Sequence, residues 1–224
     1  MGKLVKYVAQ TAQDDFEQNY AAGTSFFTLN DYIVRVGNAA ADFYRNGWKQ
    51  AYDEMRVEGK KEIVAFDPTT LSEQFIKVKK VGTDWVGVIE KQAMSLPFDQ
   101  QTSGYQNVFD IKTGEELERS NTNETWQYEY QPLNNRKFFR IDRSEIKIFT
   151  KGICNIQEVR ILYVPSISIG DGDAELPDGI IGYCIATTVM YMRANADKKI
   201  IKKSLDQNAN TTLETEINPN AVPK

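Results

Sequence analysis

The stretch from Val159 to Ala196 constrains the fold most, because its hydrophobic repeat changes period part-way along. Val159, Ile161 and Tyr163 alternate with other side chains, as in a β-strand with one buried face. After an acidic run, apolar residues recur every three or four positions, which is typical of a buried helix. The residues of that apolar helical face are Ile180, Ile181, Cys184, Ile185, Thr188, Val189 and Met192. The sequence therefore predicts a strand, an acidic turn and a core helix that ends near Ala196.

Three motifs along this stretch carry a resemblance to a known family. The strand ends in Tyr-Val-Pro at 163–165, an acidic linker follows at 170–175, and Leu-Pro-Asp-Gly-Ile-Ile at 176–181 opens the helix. In this order they resemble ring-forming head-to-tail connector proteins of tailed bacteriophages, and most closely those of short-tailed phages, including the crAss-like group. The resemblance covers the helical parts at both ends of the chain better than the middle.

The resemblance implies a structural virion protein at the head–tail junction, made in the host cytoplasm. Subunits of such connectors form a homo-oligomeric ring, usually of twelve copies, between the portal protein and neighbouring connector or tail proteins. DNA passes through the axial channel without sequence-specific contacts. A ring needs one heterologous interface that is repeated by rotation.

The resemblance implies no catalytic, cofactor-binding or metal-binding residue. The apolar helix of about 177–196 contains glycine, tyrosine and threonine residues and predicts a core helix rather than a membrane span, so we expect no membrane contact. Because the chain also has no histidine and no catalytic motif, we expect a protein that is not an enzyme.

Helical periodicity also dominates residues 1–61, which we expect to form a short helix followed by a long one. At the start of the long helix, Thr28 and Asp31 have the spacing of a capping box. Phe27 and Tyr32 flank them with the spacing of a hydrophobic staple. If unbroken, the long helix measures on the order of 40 Å, because each helical residue adds about 1.5 Å.

Residues 62–158 change to the alternation and turn signals of β-structure. Strands at this spacing predict a small sandwich or barrel inserted between the helical parts. The expected strands begin with 63–66, followed by 75–81 paired with 85–89 through Gly82, and by the hairpin of 108–111 with 116–119. Three alternating segments follow: the first contains Trp126, Tyr128 and Tyr130, the second Phe139 and Ile141, and the third Ile146 and Ile148.

The resulting prediction is an α+β protein in which the long N-terminal helix packs on the C-terminal core helix. The strand, turn and helix of 159–206 follow the β-rich insertion in sequence and complete the helical core. Residues 207–224 are polar and cannot bury enough apolar area to fold alone, so we expect a flexible tail or arm. Its expected anchor points on a neighbouring subunit are Leu213, Ile217 and Val222.

The charge pattern contains one concentrated basic run near the end of the predicted core helix. The whole chain carries a net charge of −4, which argues against generic wrapping of nucleic acid but not against a channel through which DNA slides. The run is either a solvated helix end that complements the helix dipole, or a contact with DNA or an acidic neighbouring subunit. Its residues are Arg193, Lys198, Lys199, Lys202 and Lys203.

The sequence gives little support for catalysis or metal binding. There are no histidines, which removes the commonest general base and metal ligand. Asp171, Asp173 and Glu175 suggest a calcium loop, but an EF-hand would then need glycine at 176 and glutamate at 182, where the chain has Leu176 and Gly182. We therefore expect a solvated acidic turn.

Two further sets of residues leave alternatives open. Trp126, Tyr128 and Tyr130 are either the buried face of a sheet or a platform for stacking sugars. The second possibility indicates an alternative function, that of a carbohydrate- or partner-binding β module of a tail accessory protein. Cys154 and Cys184 lie in apolar surroundings, and we expect buried free thiols rather than a disulfide.

Overall fold

The computed structural model has two helical segments at its ends and β-structure between them. It describes residues 2–19, 27–58, 66–82, 84–95, 104–120, 137–142, 144–150 and 155–216. The helices are α1 (Val5–Asn19), α2 (Leu29–Glu58) and α3 (Asp178–Glu216). The strands are β1 (Lys3–Leu4), β2 (Ser72–Lys77), β3 (Lys79–Val81), β4 (Asp84–Val88), β5 (Tyr105–Asp110), β6 (Glu118–Arg119), β7 (Lys137–Asp142), β8 (Glu145–Thr150), β9 (Glu158–Tyr163) and β10 (Glu175–Leu176). The predicted α+β class is confirmed.

The three helices pack on one another and share one hydrophobic core. Contacts between α2 and α3 show that the two helices run antiparallel, because Phe43 meets Tyr183 with ring centroids 5.2 Å apart and Arg35 meets Tyr191 further along. Both the long N-terminal helix and its packing on the C-terminal helix are therefore as predicted.

The first turn of α2 has the capping box that the sequence predicts. The backbone N–H of Thr28 donates to Asp31 Oδ2 at 2.7 Å, and the N–H of Asp31 donates back to Thr28 Oγ1 at 3.4 Å. The backbone N–H and the hydroxyl of Thr28 both donate to the Asp31 carboxylate and hold the pKa of Asp31 below its usual range. The rings of Phe27 and Tyr32 meet edge to face, with centroids 6.3 Å apart, so the hydrophobic staple is confirmed as well.

The strand predicted from the alternating residues is β9, the centre of a three-stranded antiparallel sheet in the order β2-β9-β5. Val159, Ile161 and Tyr163 are buried on the face that meets a second, five-stranded sheet in the order β3-β4-β8-β7-β6. Side chains of both sheets share the β core. Gly87 of β4 shows how closely the sheets approach, since a Cβ there would lie 2.6 Å from Ile76 Cγ2. This arrangement is sandwich-like, and the described strands form no closed barrel.

The predicted strand 75–81 is wrong as a single strand, because the chain changes sheet at Val78. Residues before it belong to β2 in the three-stranded sheet, and residues after it belong to β3 in the five-stranded sheet. Val78 is buried, and its N–H donates to Gln157 O at 3.0 Å. The predicted hairpin through Gly82 is nevertheless present, since β3 pairs with β4.

The hairpin predicted around Lys112, Thr113 and Gly114 forms only close to its turn. Leu117 N–H donates to Val108 O at 2.8 Å. One residue later the chain leaves β5, and β6 pairs in parallel with β7 in the other sheet. The two alternating segments predicted around Phe139 and Ile146 are the strands β7 and β8, and the structure pairs them antiparallel.

The predicted end of the core helix near Ala196 is wrong, because α3 continues to Glu216. The second half of α3 contains no glycine or proline, and the next helix-breaking residue is Pro219. Asparagine and threonine lower helix propensity by only about 0.7 kcal/mol or less per residue, so they do not stop a helix that is already running. The predicted tail at 207–224 is thus helical in its first part, while 217–224 lie outside the described residues. The ordering of the arm on a partner stays a prediction.

The buried face of α3 is shifted slightly from the predicted one. Ile180, Cys184 and Met192 are buried, whereas Ile181 and Ile185 lie half-buried at the edge of the core. The thiol of Cys184 is free, and burial raises its pKa to about 12.

Some sequence predictions fall outside the described residues: the predicted strand residues 63–65, the aromatic residues Trp126, Tyr128 and Tyr130, and Cys154. Within the described ranges, no helix has both the length and the apolar character needed to cross a membrane.

Candidate functional site

The longest helix carries an uncharged surface on the side away from the core. No charged residue occurs from Gly179 to Met192, yet this part of α3 is covered by protein on one side only. The exposed fraction of the side chain is 71% for Met190 and 40% for Tyr183. We call the exposed residues at helical spacing the outer α3 face: Tyr183, Ala186, Met190 and Ala194.

A groove between α2 and α3 lies next to this surface and has a volume of about 510 Å³. Its apolar lining comes from Phe27, Val34, Tyr191 and Met192. Its polar lining comes from Asp31, Arg35, Asn38, Asn195, Lys198 and Lys199. We call this site the basic groove, because its three cationic side chains outnumber its one carboxylate.

Aromatic rings hold two of these cations in place. The guanidinium carbon of Arg35 lies 4.1 Å from the ring centroid of Tyr191, and Lys199 Nζ lies 4.4 Å from that of Phe27. The Nε atom of Arg35 is buried and has no hydrogen-bond partner among the described residues. A buried donor without an acceptor is costly, so an anion that entered the groove would be favoured there.

The structure brings together part of the predicted basic run. Lys198 and Lys199 line the groove, whereas Arg193 is half-buried and does not line it. Lys202 and Lys203 lie on α3, but the structure does not describe their side chains.

Sequence reasoning missed Arg35, which α2 contributes from a distant part of the chain. The signal that was available is a short polar row on the N-terminal half of α2, because Asp31, Arg35 and Asn38 follow one another at helical spacing.

Of the predicted arm anchors, Leu213 lies in the last part of α3, and Ile217 and Val222 lie outside the described residues. In the acidic turn, the carboxylate of Asp173 accepts a hydrogen bond from Lys6 Nζ at 2.8 Å. This bond raises the pKa of Lys6. No cluster of described acidic or cysteine side chains has an arrangement that could hold a metal ion.

The outer face of the three-stranded sheet carries a row of aromatic and cationic side chains. Phe75 of β2, Arg160 of β9 and Phe109 of β5 lie side by side in register. The side chain of Phe75 is 57% exposed, and the guanidinium carbon of Arg160 lies 4.9 Å from the ring centroid of Phe109. Glu73 adds a carboxylate 3.9 Å from the Arg160 guanidinium. We call Phe75, Arg160 and Phe109 the aromatic row.

No protein-family model matches the chain, and no curated protein does. The outer α3 face, the basic groove and the aromatic row are therefore the observations on which a function rests.

Proposed function

We propose that this chain is a structural virion protein that forms a ring in the head-to-tail connector of a bacteriophage, between the portal and the tail. The observation that carries the proposal is the outer α3 face. Contiguous exposed apolar side chains mark surfaces that another protein covers, and here they lie on the longest helix of the fold. The motif order at 163–181 supplies the resemblance to connector proteins.

A closed ring requires each subunit to present two different surfaces that fit each other. In this proposal the outer α3 face is one of them, and a second surface of the next copy covers it. Stable interfaces bury about 800 Å² per partner, so in this proposal the interface extends from the outer α3 face into the neighbouring groove. By resemblance the ring has twelve copies, and the net charge of −4 suits a channel that does not retain DNA.

Replacing Met190 by glutamate is expected to prevent ring assembly. The carboxylate would have to lose its water when the outer α3 face is covered, and burial of an unpaired charge is strongly unfavourable. In the free subunit Met190 is 71% exposed, so the melting temperature should hardly change. Sedimentation velocity and negative-stain images, recorded with and without the portal protein, measure the outcome.

The matched control is Val88→Glu, which places the same charge on an apolar side chain that is 64% exposed in β4. It should leave assembly intact. A wild-type chain that stays monomeric both with and without the portal protein would contradict the connector proposal.

A second candidate function is recognition of a carbohydrate by the β-rich part, and the aromatic row is the observation that favours it. Flat aromatic faces flanked by charged hydrogen-bonding groups suit sugar rings, and Arg160 and Glu73 flank Phe109 and Phe75. Binding of the full chain to a glycan array is then expected, with about a fivefold or greater loss of affinity in Phe75→Ala, since a lost aromatic contact is worth about 1 kcal/mol or more. Val81→Ala, another exposed apolar residue on a strand, is the control. An array on which wild type and Phe75→Ala give the same signal contradicts this function.

A further inference from the structure

We infer that the acidic end of α3 from one copy docks in the basic groove of the next copy. The occupant is the segment 204–216, the last part of the helix. This inference rests on the proposed assembly of the chain and assigns one of its contacts to named residues.

The charge of α3 changes sign along its length. Four lysines occupy 198–203. From Ser204 to Glu216 the charged residues are Asp206, Glu214 and Glu216, all acidic. Because α3 is continuous through both parts, each copy carries a cationic site and an anionic segment on one element. Two copies placed head to tail bring opposite charges together.

The groove has the chemistry to receive this segment. Among the described lining residues, the Asp31 carboxylate offsets one of the positive charges of Arg35, Lys198 and Lys199, so the charge that faces an incoming segment is net positive. The unpaired Nε–H of Arg35 and its neighbouring N–H groups form a fork that matches a carboxylate. The apolar part of the groove suits a leucine, and Leu213 directly precedes Glu214.

The groove cannot be filled by the same copy's own acidic end. Lys199 and Glu214 are fifteen residues apart on one helix. Each residue adds about 1.5 Å, so their backbone positions are separated by about 22 Å. Contact between them therefore requires a second copy. The groove and the acidic end are different surfaces. When each copy gives its acidic end to the next copy and receives one from the copy before, the contact is heterologous and generates a ring if the rotation closes, whereas reciprocal exchange within one pair gives a two-fold dimer.

Zero-length carbodiimide cross-linking of the full chain tests this contact directly. The reagent joins an amine to a carboxylate only where the two already touch. Equal amounts of unlabelled and ¹⁵N-labelled chain are mixed, cross-linked and digested. We expect peptides in which Lys198 or Lys199 is joined to Glu214 or Glu216, with half of the pairs of mixed isotope composition.

Charge-reversal variants provide a second test of the contact. The double variant K198E/K199E should weaken self-association at least tenfold, and E214K/E216K should do the same. Combining the four changes restores opposite charges and should recover most of the association. The control is K79E/K80E, which reverses an adjacent pair of exposed lysines on β3.

The outcomes separate this inference from the proposed function. Rings that form normally in K198E/K199E, without the expected cross-links, overturn the groove contact and leave the connector proposal standing. If the expected cross-links form and the four-fold charge swap restores association, but the assemblies are dimers or open filaments, the groove contact is supported and the ring is contradicted. Binding of duplex DNA that is lost in K198E/K199E, in a chain without these cross-links, overturns the inference in favour of a nucleic-acid site.

Discussion

Replacing Lys137 by methionine is expected to lower the free energy of unfolding by about 3 to 5 kcal/mol, the usual cost of removing one partner from a buried ion pair. Lys137 Nζ lies 2.6 Å from Asp110 Oδ2 and 2.9 Å from Glu115 Oε2. The exposed fractions of the Lys137 and Asp110 side chains are only 5% and 2%. Methionine fills the same space but leaves the Asp110 carboxylate buried without its cation.

Urea denaturation followed by circular dichroism measures this loss. The double variant K137M/D110L should be more stable than K137M, because it leaves neither charge unpaired. The control is Lys147→Met on the neighbouring strand β8, where the lysine is only half-buried. Equal losses in K137M and K147M would show that the Lys137–Asp110 pair contributes nothing specific.

The same pair gives the expected pH dependence. Burial alone would raise the pKa of Asp110, but hydrogen bonds from Lys137 and the Lys112 N–H, together with the charge of Lys137, hold it below its ordinary value. Because the folded-state pKa is lowered, the stabilisation is complete above the unfolded-state pKa of about 3.9 and is lost as the pH falls through the folded-state pKa. The stability difference between wild type and K137M should therefore narrow on acidification from neutral pH to below about pH 4.

The second large effect is expected at Ile180. Replacement by aspartate should cost more than about 4 kcal/mol and prevent folding at neutral pH, since whole domains have only about 5 to 15 kcal/mol of stability. Ile180 is fully buried in the helical core, so a carboxylate at this position would be surrounded by apolar side chains and shielded from water.

The neighbouring residue offers a matched control. Ile181 is half-buried, so Ile181→Asp can turn its carboxylate towards solvent and should cost about 1 to 2 kcal/mol. Far-UV circular dichroism and thermal melts of both variants measure the difference. If the two variants melted alike, the assignment of the buried face of α3 would be wrong.

Local patterns predicted the helices and most strands because the responsible interactions lie within a few residues of each other. The capping box at Thr28 and Asp31 is an example, and the alternation along β9 is another. The break at Val78 was missed, because the residues on either side differ only in which sheet they join. That choice depends on partners far along the chain, Gln157 among them, and no local spacing encodes it.

The functional surfaces were likewise predictable from the sequence only where their residues are close together in the chain. The lysines of the basic run were visible because they are adjacent in sequence, whereas Arg35 joins them only through the antiparallel packing of α2 on α3. The outer α3 face was also hidden, since the sequence shows that the helix is uncharged but not which side its neighbours leave open. The aromatic row requires the register of three strands that are separated by loops.

The short ladder between β1 and β10 has a consequence for biosynthesis. Lys3 pairs with Leu176, and Val5 N–H donates to Ala174 O at 2.8 Å, so α1 is fastened beside the start of α3. A chain emerging from the ribosome completes the strands of both sheets before α3 is translated. The helical core stays incomplete, with the apolar surfaces of α1 and α2 that face α3 uncovered, until the C-terminal part of the polypeptide has been made.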